Sequence, residues 1–466
     1  MSRTLFTSAQ AKIILLLSSA LLIVCSFIIV PYVDSFYYWD WGRHLALSYY
    51  DGTPAIAYLM RLFSAIFGNH IVTINFLGVT TIFLCLYFIY QTCRLFFDEY
   101  IAFNACLLWL LSTLVIHFMY IWVTYDNPMM VAWTMSMFFS AKYIKNKKPA
   151  DLYLIGFSAG LLLLSKYTGI VLLLSLVVYI SFIPSYRNLL LNKHLYLALL
   201  LSLAIASPVF IWNYQHDWIS FTYQLKHRGL SAEWSNVGNY LEKALTQWNI
   251  LFLLPIYALF KIKLNNNIAQ KHFLIFLNFI SVTFFLFFLY QSITSHILRH
   301  WLTPFTVSSA MLCSYYFNKL QLRKTFLLTI LFYALANLTL LIIYSFFQSS
   351  YDENMMSYLL AQEAGKRYFQ HDIVVATSNW ESAARILFWL PDKPFIYTLP
   401  CGKQNQYAFW NNDFIQNIKN KRLKQVLYLD FNDQSFCISQ FFSRCQKLPM
   451  LTHKNKVYLF AYECIV

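Results

Sequence analysis

The chain has 466 residues, of which 59% are hydrophobic, 19% aromatic and only 12% charged, and 35 Lys and Arg against 20 Asp and Glu give a formal net charge of +15. With a mean hydropathy of +0.51, this is more apolar surface than one soluble core buries, which excludes a soluble or disordered protein and points to a polytopic membrane protein. The basic balance does not call for nucleic acid, because the cations are spread through short loops between apolar runs, as the positive-inside rule requires.

In chain order, spanning segments are expected at 13–31, 71–93, 100–121, 128–144, 151–165, 168–184, 195–212, 247–260, 272–290, 301–317 and 325–346. This predicts a mainly α fold, a transmembrane helical bundle of about eleven spans. The first run follows Arg3 and Lys12 but is too long for a signal peptide and lacks a small-x-small cleavage site, so it reads as an uncleaved span. Alternate loops hold Arg94, then Lys142, Lys145, Lys147 and Lys148, then Arg187 and Lys193, then Lys261, Lys263 and Lys271, then Lys319, Arg323 and Lys324. Those loops and the N-terminus are expected in the cytoplasm. The opposite loops carry Asp34, Asp51, Asp126, Lys166, His216, Asp217, Glu233, His296, Arg299 and His300, so the chemistry is expected on the outer face.

The apolar segment from Ala55 to Phe67 is too short to span and is expected to lie in the interface as a juxtamembrane helix ending at Gly68. Loop 213–246 has a similar mixed pattern. The bundle is thus assigned to 1–346. Residues 347–466 read as a soluble α/β domain, with buried strands at 373–376, 395–398 and 425–429 and a helix from Glu381 to Leu390. An odd number of spans places it outside, opposite the N-terminus. Cys401, Cys437, Cys445 and Cys464 fall in it and allow three pairings, whereas Cys25, Cys85, Cys93, Cys106 and Cys313 lie in or beside spans and read as packing residues.

The first outer loop gathers Val33-Asp34-Ser35-Phe36-Tyr37-Tyr38-Trp39-Asp40-Trp41 and then Tyr49-Tyr50-Asp51-Gly52-Thr53-Pro54. A carboxylate such as Asp34 set against apolar surroundings is partly desolvated, which suits it to take a proton; from position alone it is equally an exposed loop acid. Tyr37, Tyr38, Trp39 and Trp41 read as a donor entry or as an aromatic belt. Asp126 and Asn127 before Pro128 read as a helix cap or as ligands, and Lys166 as a snorkelling cation or a phosphate partner. His296 and His300 stand at i and i+4, a spacing that ligates metal from one helix face, and Arg299 between them suits an oxyanion. There is no Asp-x-Asp triplet, phosphate-cradling Gly-rich loop or Gly-x-Ser-x-Gly elbow, which favours a lipid-phosphate donor over a nucleotide.

Asp34 with Tyr37-Tyr38-Trp39, followed by Tyr50-Asp51-Gly52-Thr53-Pro54 and Ala57, resembles the first outer loop of bacterial GT-C glycosyltransferases of the ArnT-like and RgtA-type group, related to the protein O-mannosyltransferases. Thr124 to Pro128, Leu164 to Gly169, Trp212 to Trp218, His300-Trp301 with Pro304, and Gly402 to Trp410 resemble later family segments in the same order. The resemblance implies transfer of a sugar from a polyprenyl-phosphate carrier to a lipid or glycolipid acceptor such as lipid A or lipopolysaccharide core. It implies Asp34 as the catalytic acid-base residue, though the family's Asp-Glu is Asp34-Ser35 here. Tyr50, Asp51, Asp126, Lys166, His216, Arg299 and His300 are the matching substrate-contact positions. Cofactors stay unknown, a divalent metal among the options, and membrane lipids are expected partners. The alternatives are a protein O-mannosyltransferase and a transporter or flippase of lipid-linked sugars, the latter disfavoured because such proteins hold ionisable groups near the bilayer midplane.

The cation distribution predicts that a periplasm-active reporter fused after Val466 is active, and that one in the Lys145 loop is silent; activity of the Val466 fusion in the cytoplasm alone would reverse the topology.

Overall fold

The protein is seen in a computed structural model that describes residues 8–27, 29–112, 122–226, 233–245, 267–346, 349–368, 373–390, 393–400, 404–420, 425–433, 435–453 and 457–465. They form two units, one of Met1–Ile29, Ala46–Ser48 and Gly52–Leu340, the other of Val30–Leu45, Tyr49–Asp51 and Leu341–Val466. Two details differ from the division expected at 346/347: the boundary falls at 340/341, and most of the first loop groups with the C-terminal part. The physical reason is that this loop is crowded with aromatic side chains, which find a soluble core to enter there.

The first unit is a multi-pass membrane bundle. Its helices are α1 (Ser8–Cys25), then, after α2 of the other unit (Val33–Arg43), α3 (Ala55–Phe67), α4 (Ile71–Arg94), α5 (Glu99–Leu111), α6 (Asp126–Asn146), α7 (Pro149–Ser165), α8 (Ile170–Phe182), α9 (Pro184–Arg187), α10 (Lys193–Gln215), α11 (Ile219–Lys226), α12 (234–245), α13 (Ile268–Ser292), α14 (Phe305–Lys319) and α15 (Arg323–Phe346). Every expected span is occupied by a helix except 247–260, which lies outside the described residues, as does 113–121 of the third. Among the described residues α4, α10 and α13 are each long and apolar enough to cross a bilayer, and Tyr167–Phe182 with Pro184–Leu191, bent by 112°, makes a fourth if counted as one span.

Local sequence sets the helix ends. Asp98, Asn192 and Asn267 cap α5, α10 and α13 by accepting the backbone N–H of Ile101, His194 and Gln270. Pro149 and Pro184 open α7 and α9 where a missing N–H is harmless. The amphipathic α3 buries Ile56, Ala57 and Met60, exposes Leu62, Ile66 and Phe67, and stops at Gly68, whose φ of +80° only glycine adopts easily. α7 and α10 approach so closely that a Cβ on Gly156 would collide with the Ala198 carbonyl, the small-residue packing that membrane helices use.

The second unit holds α2, α16 (Ser349–Tyr368), β1 (Val374–Thr377), α17 (Trp380–Trp389), β2 (Ile396–Thr398), α18 (Gln406–Trp410), α19 (Asn412–Lys419), β3 (Gln425–Asp430), α20 (Ser435–Ile438), β4 (Arg444–Lys447), β5 (Leu451–His453) and β6 (Val457–Ile465). The sheet order is β2-β1-β3-β6-β4, with β5 also on β6. β1 to β3 are parallel, with Val375 beside Ile396 and Leu427, whereas β6 runs antiparallel to β3, β4 and β5. Ala376, Val426, Tyr428, Phe414 and Tyr462 fill the core beneath. The three expected strands and the expected helix at 381–390 are present; β4, β5 and β6 were not anticipated.

Facing residues Cys445 and Cys464 of β4 and β6 form a disulfide, and Cys437 is also disulfide-bonded; Cys401 lies outside the described residues. Cys85, Cys93, Cys106 and Cys313 are free and buried, as packing residues should be. Under denaturing, non-reducing conditions a thiol reagent should label these four and spare Cys445 and Cys464 until reductant is added. Labelling of the latter pair without reductant would refute the cross-strand bond.

Candidate active site

In the second unit, α2 carries Asp34 in its first turn, half-buried, where the helix N-terminus favours an acid. Three residues on, and so on the same helix face, Tyr37 is buried with its ring 5.0 Å from Trp380 and 5.4 Å from Tyr407. Its hydroxyl donates to the Asp51 carboxylate at 3.0 and 3.2 Å and accepts the Gln406 N–H at 2.8 Å. Burial, and then the Asp51 charge, push the Tyr37 phenol well above the usual range, so it stays protonated as the donor. Tyr50 joins the same network: its N–H donates to Gln406 Oε1 and its hydroxyl to Gln404 Oε1 at 2.8 Å.

The remaining aromatics of α2 also face inward. Phe36 and Trp39 pack on Phe388 at 4.7 and 4.8 Å, and Trp41 stacks on Tyr49 at 4.1 Å. Tyr37, Tyr38, Trp39 and Trp41 are all buried, which corrects the expectation that they form a membrane belt or line an open entry. Asp40, unremarked in the sequence, is buried among them; burial pushes its carboxyl up, opposed by His44 and by Arg43, whose guanidinium lies 3.0 Å away.

In the first unit the structure joins two predicted residues. The chain leaves α7 at Lys166 in extended conformation and turns through Tyr167–Gly169 into α8. Lys166 Nζ lies 2.6 Å from Asp126 Oδ1, with side-chain exposures of 8% and 3%, and 4.6 Å from the centre of the Tyr125 ring. Burial pulls the Lys166 ammonium below the usual lysine range and Asp126 pushes it back. Asp126 is the first residue of α6, and the cap position, Tyr125, makes no side-chain cap bond, so the capping reading is replaced by an ion pair. Lys166 does not snorkel either. Neighbours brace the pair: Thr124 Oγ1 donates to Asp126 at 3.2 Å, Asn127 Oδ1 accepts the Thr124 N–H, and Thr53 Oγ1 donates to the Ser165 carbonyl at 2.6 Å.

The residues after Lys166 open onto a cavity of about 380 Å³, mainly apolar, lined by Tyr167, Thr168, Phe210, Phe221, Gln224 and Gln291 among others. His216, at the end of α10, stacks on Trp212 at 4.1 Å and donates its Nδ1–H to the Trp212 carbonyl, since a carbonyl can only accept. Arg299 is exposed and opens the short turn Arg299–Leu302, and His300 lies 5.2 Å from Trp122.

The helix-face reading of His296 and His300 does not hold. Only residues 299–302 around them are helical, and His296 Nε2 instead meets Lys243 Nζ at 2.9 Å. Lys243, missed from sequence, also donates to the Ile297 carbonyl; burial and then Arg299 pull its ammonium down. Among the described residues no three His, Cys, Asp or Glu side chains gather as metal ligands.

Breaking the Lys166–Asp126 pair from one side strands a buried charge, so Lys166→Met or Asp126→Leu should each lose about 3–5 kcal/mol of stability, and the double substitution should recover most of it. Thermal unfolding of the purified variants reads this; additive losses in the double variant would show that the two groups are not coupled.

Residues 51–212 match the family model of dolichyl-phosphate-mannose-protein mannosyltransferases. The whole chain resembles the crystal structure of ArnT from Cupriavidus metallidurans bound to undecaprenyl phosphate, at 12% identity, 97% coverage of each chain and a TM-score of 0.69. The apo form of that protein matches at 13% identity, 98% coverage of each chain and a TM-score of 0.69. No curated protein sequence matches the chain. The chain thus repeats the fold of the ArnT crystal structures over nearly its full length, and its residues 51–212 match the mannosyltransferase model.

Proposed function

We propose that the chain is an inverting glycosyltransferase that moves a sugar from a polyprenyl-phosphate carrier to an envelope lipid or glycolipid, lipid A or lipopolysaccharide core being the favoured acceptors. The observation that carries this reading is the buried Lys166, one residue before the wall of a mainly apolar cavity among spanning helices. A cation beside an apolar groove matches a phosphate that carries a prenyl chain. The ArnT structure bound to undecaprenyl phosphate, similar in fold, supports the same donor class.

In this reading Asp34 accepts the proton of the acceptor hydroxyl or amine as that atom attacks the anomeric carbon. The bond from that carbon to the phosphate oxygen breaks on the opposite face, and the lipid phosphate leaves with the electron pair. Lys166 has three N–H donors, one of them held by Asp126, and offers the others to the departing phosphate, with Arg299 supplying further positive charge. Asp51 acts by holding Tyr37 and so α2, which presents Asp34. Tyr50, His216 and His300 border the sugar or acceptor. The membrane is the bacterial inner membrane, with the N-terminus cytoplasmic and the second unit periplasmic, a placement supported by its disulfide.

Asp34→Asn keeps size and hydrogen bonding but removes the proton acceptor, so transfer from a polyprenyl-phosphate sugar should fall about 10²–10⁴-fold while folding and donor binding persist. Near wild-type transfer by the purified variant would remove Asp34 from the chemistry.

A further inference from the structure

A second cavity, of about 240 Å³, lies among α6, α7, α8, α10 and α13, lined by Tyr143, Tyr186 and a wall of Leu and Ile that leaves it almost wholly apolar. It opens sideways between helices, since Val177 and Leu199 at its edge are 56% and 53% exposed. Two hydroxyls break the apolar lining, Ser140 of α6 and Ser202 of α10. They are 4% and 2% exposed, and neither oxygen has a hydrogen-bond partner among the described residues. Buried hydroxyls without partners are uncommon, and two in one cavity call for an acceptor that the protein itself does not provide.

At the end of α6, Lys147 takes a left-handed conformation with φ of 56°. That turn lays its exposed ammonium 3.3 Å from the centre of the Tyr186 ring and 5.4 Å from that of Tyr143, the two rings that line the cavity. Seven residues of helix separate Ser140 from Lys147, about 10 Å along the axis.

We infer that this cavity binds an anionic glycerophospholipid of the bilayer, its phosphate on Lys147, its ester carbonyls accepting from Ser140 and Ser202, and an acyl chain filling the apolar interior. The spacing decides between lipids. A prenyl phosphate also offers a phosphate to the lysine, but its hydrocarbon chain has nothing to accept from the Ser140 hydroxyl about two turns deeper, whereas glycerol esters sit below the phosphate. The site is independent of the catalytic reading, for it uses none of the residues assigned to sugar transfer.

The test uses the full chain purified in detergent and titrated with phosphatidylglycerol, its diether analogue, phosphatidylcholine or undecaprenyl phosphate, followed by native mass spectrometry and thermal unfolding. Ester-linked phosphatidylglycerol should bind about tenfold more tightly than the diether or phosphatidylcholine and should raise Tm. Ser140→Ala and Ser202→Ala should erase the ester preference, and Lys147→Gln the preference for the anionic head. Because Lys147 is exposed, that variant keeps the question answerable if a serine variant folds poorly. Equal binding of the two phosphatidylglycerols, preferences unchanged in the variants, or tighter undecaprenyl phosphate binding that Lys147→Gln abolishes would each overturn the assignment, the last in favour of the sugar carrier.

Discussion

A lysine ammonium surrounded by packed membrane helices has to be neutralised where it stands, and the first unit is organised around that requirement at Lys166. Its partner cannot be any nearby acid, because Asp and Glu are scarce in this chain and desolvating a second charge is itself expensive. Asp126 meets the need by beginning α6 directly opposite the end of α7. That single contact fixes where two helices start and stop. Tyr125 supplies an aromatic face to the same cation, Asn127 ties the entry of α6 to Thr81 of α4, and Thr53 binds the last carbonyl of α7. The outcome is a charged pair held rigidly at the helix ends, with the apolar cavity beginning at the very next residue. Rigid placement of a cation is what phosphate stabilisation requires, since a mobile lysine would have to be ordered anew in each turnover.

The second unit solves a different problem. α2 is too aromatic to lie in water and too polar to lie in lipid, so it is absorbed into an α/β core through Phe36, Tyr37, Trp39 and Trp41. The polar remainder is satisfied by direct bonds: Tyr37 to Asp51 and Gln406, Tyr50 to Gln404 and Gln406, Arg43 to the Lys393 carbonyl. Deeper in the unit, Asp430 at the end of β3 is fully buried and accepts from Thr377, Ser378, Ser382 and Tyr428, joining β1, the start of α17 and β3 at one carboxylate. The disulfide between β4 and β6 then fastens the antiparallel edge of the sheet. A helix that carries Asp34 is thereby attached to a scaffold with its own rigidity, which is the condition that the proposed role of Asp34 as a base sets.

Both devices bear on function through the same principle. The proposed transfer from a lipid phosphate asks for a base and a cation, each held in a fixed local geometry. The residues proposed for these roles stand on separately stabilised elements, Asp34 on a helix of the second unit and Lys166 on a turn of the first.

The sequence by itself determined the features that depend on neighbours within a few residues. Apolar run length located the spans, Gly68 ended the interfacial helix, Asp98, Asn192 and Asn267 set caps that follow local rules, and the runs at 373–376, 395–398 and 425–429 became β1 to β3. Periodicity and turn chemistry are local, so they survive in a linear reading. Only the tertiary structure decided that Asp126 pairs with Lys166 forty positions away rather than capping its own helix, that His296 meets Lys243 and not His300, and that the first loop packs with residues beyond 340. β6 shows the limit most clearly: its residues are as apolar as a span fragment, and only the register against β3, β4 and β5 makes them the centre of one side of the sheet. These outcomes follow from burial, which leaves a charged or polar group one partner within reach, and which partner that is depends on how distant segments pack.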